Sequence, residues 1–236
     1  MQVIKRDGRT ESVKLDKITD RIRRLCVNLS PVVDPIKISV ETIRSIGDMM
    51  KTTELDNISA SIAESRKMLH PDYSLLASRI FVSNLHKSTP AKFSESLEMI
   101  HTRLDSIKLT VLDFVRKHTE AIDAMIVNDR DHNYGYLALL KLVQSYLDHD
   151  KRDAGRILDR PQYMLMRVSL ALYHDYPCGD EKKLELIKIT YDDLSNQLYT
   201  HATPTLYNSS KREQQMLSCF PPDATVFTID GAKRID

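Results

Sequence analysis

Helical spacing dominates this chain and narrows what it can fold into. Side chains suited to a core recur three and four apart at Val111, Phe114, His118, Ile122 and Met125, then at Tyr136, Leu140, Val143 and Leu147, then at Leu184, Ile187, Tyr191, Leu194 and Leu198. Such a stripe lies on one face only when the backbone turns every 3.6 residues. The stretch from Gln162 to Tyr173 is apolar almost all round, as in a helix buried on every side. Residues 91–200 are therefore expected to be nearly all helix and to draw part of their core from sequence beyond position 236. Only six glycines occur, none close enough to another to build a phosphate-cradling loop, so Rossmann and Walker-type sites are unsupported.

The first ninety residues carry a different pattern. Short extended runs flank Arg6-Asp7-Gly8-Arg9, and Asp-Gly between such runs predicts a β-hairpin over residues 2–14. Asp16 stands where an N-cap belongs, ahead of Ile18, Ile22, Leu25 and Leu29 on one helical face, with Pro31 and Pro35 expected to end that helix. A second helix is predicted from about Ile36 to Met50. A third begins after Thr52-Thr53, with Leu55, Ile58 and Ile62 on its stripe and Glu54 and Asp56 in its first turn. After His70-Pro71-Asp72-Tyr73 a fourth carries Tyr73, Leu76, Ile80 and Asn84 and ends near Lys87, just before Pro90. A ribbon plus four helices is thus expected as one unit over residues 1–90.

Charge is nearly balanced, 34 Lys and Arg against 33 Asp and Glu, which favours neither a nucleic-acid-coating protein nor an acidic tail. Its distribution is uneven: residues 1–24 hold eight basic side chains and four acidic ones, enough to hold an anion. The three cysteines, Cys26, Cys178 and Cys219, lie far apart and make neither a disulfide framework nor a zinc site. No His pair flanks a Glu at metal-binding spacing, so no metal is expected in this chain. No leader and no apolar run near the ~20 residues needed to cross a bilayer is found, and a cytoplasmic protein is expected.

Val3-Ile4-Lys5-Arg6-Asp7-Gly8-Arg9, Glu11, Val13 and Asp16-Lys17-Ile18, followed by Thr52, Glu54-Leu55-Asp56, His70-Pro71-Asp72-Tyr73 and Asn84-Leu85-His86-Lys87, resemble the ATP-cone, the small regulatory domain of many ribonucleotide reductases. The resemblance implies that ATP or dATP, acting as an allosteric effector, is surrounded by Lys5, Arg6, the run Glu11, Ser12, Val13, Lys14, Leu15, Asp16 and Lys17, and by Thr52, Asp56 and Lys87. The residue chemistry agrees, since a triphosphate needs cations and backbone donors. Any one of these residues could equally belong to a solvated surface.

Farther along, Asn128-Asp129-Arg130-Asp131, Tyr134, Gln144-Ser145-Tyr146-Leu147 and Arg160-Pro161-Gln162-Tyr163-Met164-Leu165-Met166-Arg167-Val168 look like the helical domain leading into the barrel of the class I reductase large subunit. Thr200-His201-Ala202-Thr203-Pro204-Thr205-Leu206-Tyr207-Asn208 is similar to the segment where that family holds substrate diphosphate, which implicates the hydroxyls of Thr203 and Ser218. On the nine residues alone, a Pro-containing turn with capping hydroxyls explains the segment as well. The resemblance implies a mainly α fold: an ATP-cone over 1–90, then an all-α domain over 91–218 that ends at the start of the barrel. It also implies reduction of ribonucleoside diphosphates by a thiyl-radical mechanism. The radical cofactor would sit in a partner small subunit, thioredoxin or glutaredoxin would supply electrons, the large subunits would form a homo-oligomer, and neither membrane nor nucleic acid would be a direct partner. The radical cysteine, its redox partner and the acid/base Glu would lie beyond Asp236, so residues 1–236 are expected not to turn over alone.

At Cys219 two chemistries meet. Ser-Cys-Phe also occurs in the reductases, where the cysteine is a redox thiol on an apolar strand; here Pro221-Pro222-Asp223-Ala224-Thr225 follows, which a buried strand would not tolerate. The sequence from Cys219 through Val226 to Asp230-Gly231 and Arg234-Ile235 resembles the opening of an intein or Hint-type domain over 219–236, with Val226-Phe227-Thr228-Ile229 as a strand entering a hairpin. Cys219 is then either a splicing nucleophile that attacks the preceding carbonyl or the redox thiol. Three readings stay open: a reductase large subunit with ATP/dATP control, a non-catalytic nucleotide-sensing module, and the N-terminal half of a splicing precursor.

Overall fold

The computed structural model describes residues 2–218 in full and, for residues 225–228 and 231–234, the backbone alone. The fold is mainly α. Its chain begins with β1 (Gln2–Ile4) and β2 (Thr10–Ser12), antiparallel with Val3 opposite Glu11. Lys5 N–H donates to the Arg9 carbonyl at 2.8 Å and Gly8 N–H to the Lys5 carbonyl at 3.0 Å, closing the turn. Gly8 sits at φ +84°, where a side chain would be strained.

Helix α1 (Leu15–Leu25) follows, with Lys14 rather than Asp16 at its N-cap; Asp16 lies in the first turn, where the macrodipole favours a carboxylate. Pro35 opens the next helix instead of closing this one. It occupies the first position of α2 (Pro35–Arg44), where its missing N–H leaves nothing unpaired, and Asp34 caps the Ile36 and Lys37 amides. Nor does α2 run to Met50. The chain turns through a left-handed Met49 (φ 60°), whose N–H donates to the Gln2 carbonyl at 2.8 Å, and continues as β3 (Met50–Lys51) parallel to β1. The sheet order is β2-β1-β3.

Helices α3 (Thr52–Ser65) and α4 (Asp72–Ser88) pack together through the fully buried Ala60, Ala63 and Ala77. With Val3, Ile18, Ile22, Ile38, Leu55, Leu76 and Ile80 they form a first core. The connection between α1 and α2 is tied to α4: Arg79 donates to the carbonyls of Leu25 and Val27, and the Tyr73 hydroxyl donates to that of Val32.

A second core gathers α5 (Phe93–Leu104), α6 (Leu109–Lys117), α7 (Thr119–Met125), α9 (Pro161–Tyr173) and α10 (Asp180–Ser195). The stripe from Val111 to Met125 is divided between two helices. His118 leaves the helical region, and its ring lies 4.8 Å from that of Phe114 and 3.0 Å from Asp180 Oδ2. Helix α9 is buried on all sides, as its composition demands, but the expectation that its cover would come from sequence beyond 236 is corrected. Phe93, Leu97, Val111, Leu112, Ile187 and Tyr191 close over it from within residues 2–218. Short strands β4 (His149–Asp150) and β5 (Arg156–Ile157) pair around a left-handed Gly155 and were not foreseen.

Helix α8 (Tyr136–Ser145) joins the two cores. Tyr136 and Leu139 complete the first, Tyr136 meeting Phe81 edge to face at 5.8 Å, while Leu142 and Tyr146 lean on the second. The described chain continues through α11 (Thr203–Asn208), and the backbone of β6 (Thr225–Thr228) pairs antiparallel with β7 (Gly231–Arg234), the hairpin read from the sequence. Cys219 lies outside the described residues. Among those described, no helix is long and apolar enough to cross a membrane.

Candidate functional site

The hairpin's side chains lean over α1 and the ends of α3 and α4, enclosing a cavity of about 410 Å³. Its floor is apolar: Val3, Ile18, Ile22, Leu55 and Ile80 are buried core residues that also reach the wall, with Leu25 beside them. Its rim is cationic. Lys5, Arg6, Lys14, Lys17, Arg21 and Lys87 face Asp7, Glu11 and Asp56 across the opening.

Two carboxylates organise the cations. Asp56, 1% exposed, accepts from Arg6 Nη2 at 3.0 Å and pairs with Arg21 through its other oxygen. Arg6 is fixed from a second side by Asn84, whose Oδ1 accepts from the same Nη2 at 2.5 Å. Asn84 in turn donates to the Thr53 carbonyl at 3.1 Å and to Asn57 Oδ1 at 2.9 Å. On the hairpin, Glu11 pairs with Lys17 and with Lys5 at 3.0 Å, and these two lysines hold its carboxyl down at about 2.

Positive charge remains in excess. Burial, and the neighbouring Arg6 and Arg24, bring Arg21 down to about 10, and its Nε and Nη2 are buried without a hydrogen-bond partner among the described residues. Lys14 and Lys87 have no side-chain partner among the described residues. Burial, then Arg21, Arg6 and Arg24, depress Lys87 to about 8. Unpaired donors around an apolar floor suit a ligand with a flat apolar body and a polyanionic tail.

Ten of the residues singled out in the sequence line this cavity: Lys5, Arg6, Glu11, Ser12, Val13, Lys14, Lys17, Thr52, Asp56 and Lys87. Leu15 and Asp16 are exposed and stand off its wall. Arg21 was missed, although it lies one helical turn beyond Lys17 on the same face, a spacing legible in the sequence. Asn84 was noticed without a role.

The second candidate region centres on α11. Thr203 opens this helix and its Oγ1 lies 3.0 Å from the Tyr146 hydroxyl. The stretch leading to Ser218 runs beside α11: Thr205 Oγ1 donates to the Met216 carbonyl at 3.0 Å and Asn208 Nδ2 to that of Gln215 at 2.7 Å. Ser218 is exposed. Among the described residues no cluster of three or more His, Cys, Asp and Glu could hold a metal.

Residues 1–88 match the family model of the ATP cone domain, and residues 132–214 that of the ribonucleotide reductase all-alpha domain. The chain is 41% identical to the ribonucleoside-diphosphate reductase large subunit of Dictyostelium discoideum, over 98% of this chain and 27% of that protein. It is 39% identical to the corresponding large chain of Schizosaccharomyces pombe, over 98% and 28%, and 39% identical to the large subunit of vaccinia virus (strain Copenhagen), over 98% and 30%. The chain thus spans between a quarter and a third of the length of these relatives.

Proposed function

We propose that this chain is the N-terminal part of a ribonucleoside-diphosphate reductase large subunit and that the cavity beneath its hairpin is an allosteric site for ATP and dATP. The carrying observation is the cavity itself: an apolar floor, six cations on the rim, and buried Arg21 Nε and Nη2 donors with no hydrogen-bond partner among the described residues. An adenine ring meets the floor, and the phosphates meet Lys5, Arg6, Lys14, Arg21 and Lys87, each contact charge-assisted. The ATP-cone match over residues 1–88 and the reductase names of the relatives support the same reading.

In this reading residues 1–90 form the regulatory unit and residues 91–218 the helical platform. The hydroxyls of Thr203 and Ser218 hold substrate diphosphate, and a radical-bearing small subunit, a second large subunit and a dithiol reductant complete the cytoplasmic system. Calorimetry of ATP and dATP with the chain tests the effector site. Competition for one site is expected, with affinity falling roughly ten- to a hundredfold in Lys87→Met or Arg21→Met. Unchanged affinity in both variants refutes it.

The β6–β7 hairpin that follows Pro221-Pro222 favours a second reading for Cys219, as the nucleophile of an intein that interrupts the reductase there. A thiolate at that position would convert the Ser218–Cys219 amide to a thioester. Intact mass spectrometry of the uninterrupted precursor tests it: Cys219→Ala is expected to stop maturation, and a variant that matures to the wild-type mass eliminates the intein.

A further inference from the structure

Behind α11 lies a group of four charges that the effector site does not use. Arg167, on the buried helix α9, is 1% exposed and pairs with Asp159, which is 0% exposed, and at 3.4 Å with Asp148, 9% exposed. The fourth charge arrives from three residues beyond the candidate diphosphate segment that ends at Asn208. Lys211, 14% exposed, donates through Nζ to Asp148 Oδ1 at 2.8 Å and lies 4.4 Å from the centre of the Tyr207 ring.

The balance of these charges gives Lys211 its weight. Without it, one guanidinium faces two carboxylates in a region nearly closed to water, an arrangement that carries an uncompensated buried negative charge. Burial already pushes the Asp159 carboxyl up, with Asp148 adding to the effect against the pull of Arg167. With Lys211 seated, two positive and two negative groups face one another.

We infer that Lys211 is a positioning residue: by neutralising the Asp148–Arg167–Asp159 cluster it latches the Thr203–Lys211 segment onto the helical platform and so fixes Thr203 for its diphosphate. Asp148 lies two residues after Tyr146, whose hydroxyl meets Thr203 Oγ1 at 3.0 Å. One turn of chain therefore grips both ends of the segment, Thr203 through Tyr146 and Lys211 through Asp148. Ser210 adds a neutral tie, its hydroxyl donating to the Arg167 carbonyl at 2.6 Å. Backbone bonds from Lys108 N–H to the Ser210 carbonyl and from Arg212 N–H to that of Ser106, both at 2.9 Å, hold the loop's position along the chain. They are exposed to fraying unless the side chains behind them stay seated.

The role assigned to Thr203 rests on the proposed substrate reading, but the latch can be measured without nucleotide. Amide hydrogen exchange of the 236-residue chain is followed at Leu206, Ser209, Lys211 and Arg212, all backbone donors in this segment, with α9 amides as the reference. Lys211→Met is expected to speed exchange in the segment roughly ten- to a hundredfold while α9 stays protected. Lys211→Arg restores protection because it restores the charge. Adding Asp148→Asn to Lys211→Met recovers part of the protection, since the remaining Arg167–Asp159 pair is neutral although the Lys211–Asp148 tie stays lost. Wild-type exchange in Lys211→Met, equal loosening of α9, or a double variant no better than the single one overturns the latch. Failure of Thr203→Val to weaken diphosphate binding in the complete enzyme would instead overturn the substrate reading and leave the latch standing.

Discussion

Arg6 and Asp56, fifty positions apart, meet at 3.0 Å beneath the hairpin, and Arg21 closes on the same carboxylate from α1. One buried acid thus gathers the two guanidiniums that line the cavity. Asp56→Asn leaves them facing each other without the carboxylate that pairs them. Breaking a buried pair costs about 3–5 kcal/mol, but both guanidiniums are partly solvated, so a loss of about 1–3 kcal/mol is expected. The same change makes the cavity more positive. Saturating ATP is therefore expected to raise the melting temperature of Asp56→Asn by more than it raises that of the wild type, which thermal denaturation with and without nucleotide checks.

At the proposed effector site, Lys87 is expected to make nucleotide binding pH-dependent. In the free protein its ammonium is depressed to about 8 by burial and by Arg21, Arg6 and Arg24. Between about 8 and the ordinary lysine value of 10.5 the unfolded chain holds a proton that the folded chain has released, so this residue makes the free protein more stable as pH rises through that window. A bound polyanion reverses the preference by favouring the charged form. The Lys87 contribution to nucleotide affinity is expected to be constant below about pH 8, where its ammonium stays charged, and to fall above it, by up to tenfold per pH unit. Calorimetry from pH 7 to 9.5 against Lys87→Met separates this from the titration of the nucleotide itself, because the variant keeps only the latter.

Much of the architecture was legible because local chemistry agreed with tertiary fate. Asp7-Gly8 supplied a left-handed turn residue between two extended runs, and the stripe of α4 matched its buried face, as did that of α10 through Leu194, whereas Leu198 falls past the helix end and is exposed. The failures come from partners remote in sequence. Met50-Lys51 is too short to show alternation and is a strand only because β1 lies alongside it. His118 is acceptable inside a helix, and its departure from one reflects its tie to Asp180, sixty-two residues on. Within the cavity, the cations of the hairpin and α1 could be read from charge density. The role of Asn84 could not, since an amide shows its partners, Arg6, Asn57 and the Thr53 carbonyl, only once three elements converge.

The joint contribution of α8 bears on how independent the first ninety residues are. A polypeptide of residues 1–90 contains the sheet, α1 to α4 and the whole cavity, and is expected to melt cooperatively. It lacks Tyr136 and Leu139, which fill the first core from α8. Each contributes about 1.5–3 kcal/mol of burial, an upper bound because the unfolded chain is itself partly compact. Calorimetric melts should place residues 1–90 below residues 1–146, with Tyr136→Ala in the longer polypeptide closing about half of the gap.

Arg160 is where the first unit is bolted to the rest, and it predicts the sharpest difference between arginine and lysine. The residue is 4% exposed, and its guanidinium donates from Nε to Thr89 Oγ1 at 2.8 Å, from Nη1 to Asn128 Oδ1 at 3.1 Å, and from Nη2 to the carbonyls of His86 at 3.0 Å and Thr89 at 3.3 Å. The group therefore joins the last turn of α4 to the Asn128–Asn133 3₁₀ turn, across the stretch where the helical pattern pauses at Pro90. Among the described residues no carboxylate hydrogen-bonds to it, so its contribution comes from geometry rather than ion pairing. Arg160→Met leaves two carbonyls and an amide oxygen without their donor in a site water barely reaches, and a loss of about 2–4 kcal/mol is expected in urea denaturation. Arg160→Lys keeps the charge but offers one compact ammonium where a planar fork spans three partners, so it should recover less than half of that loss. Full recovery by lysine would mean that charge alone holds the two units together.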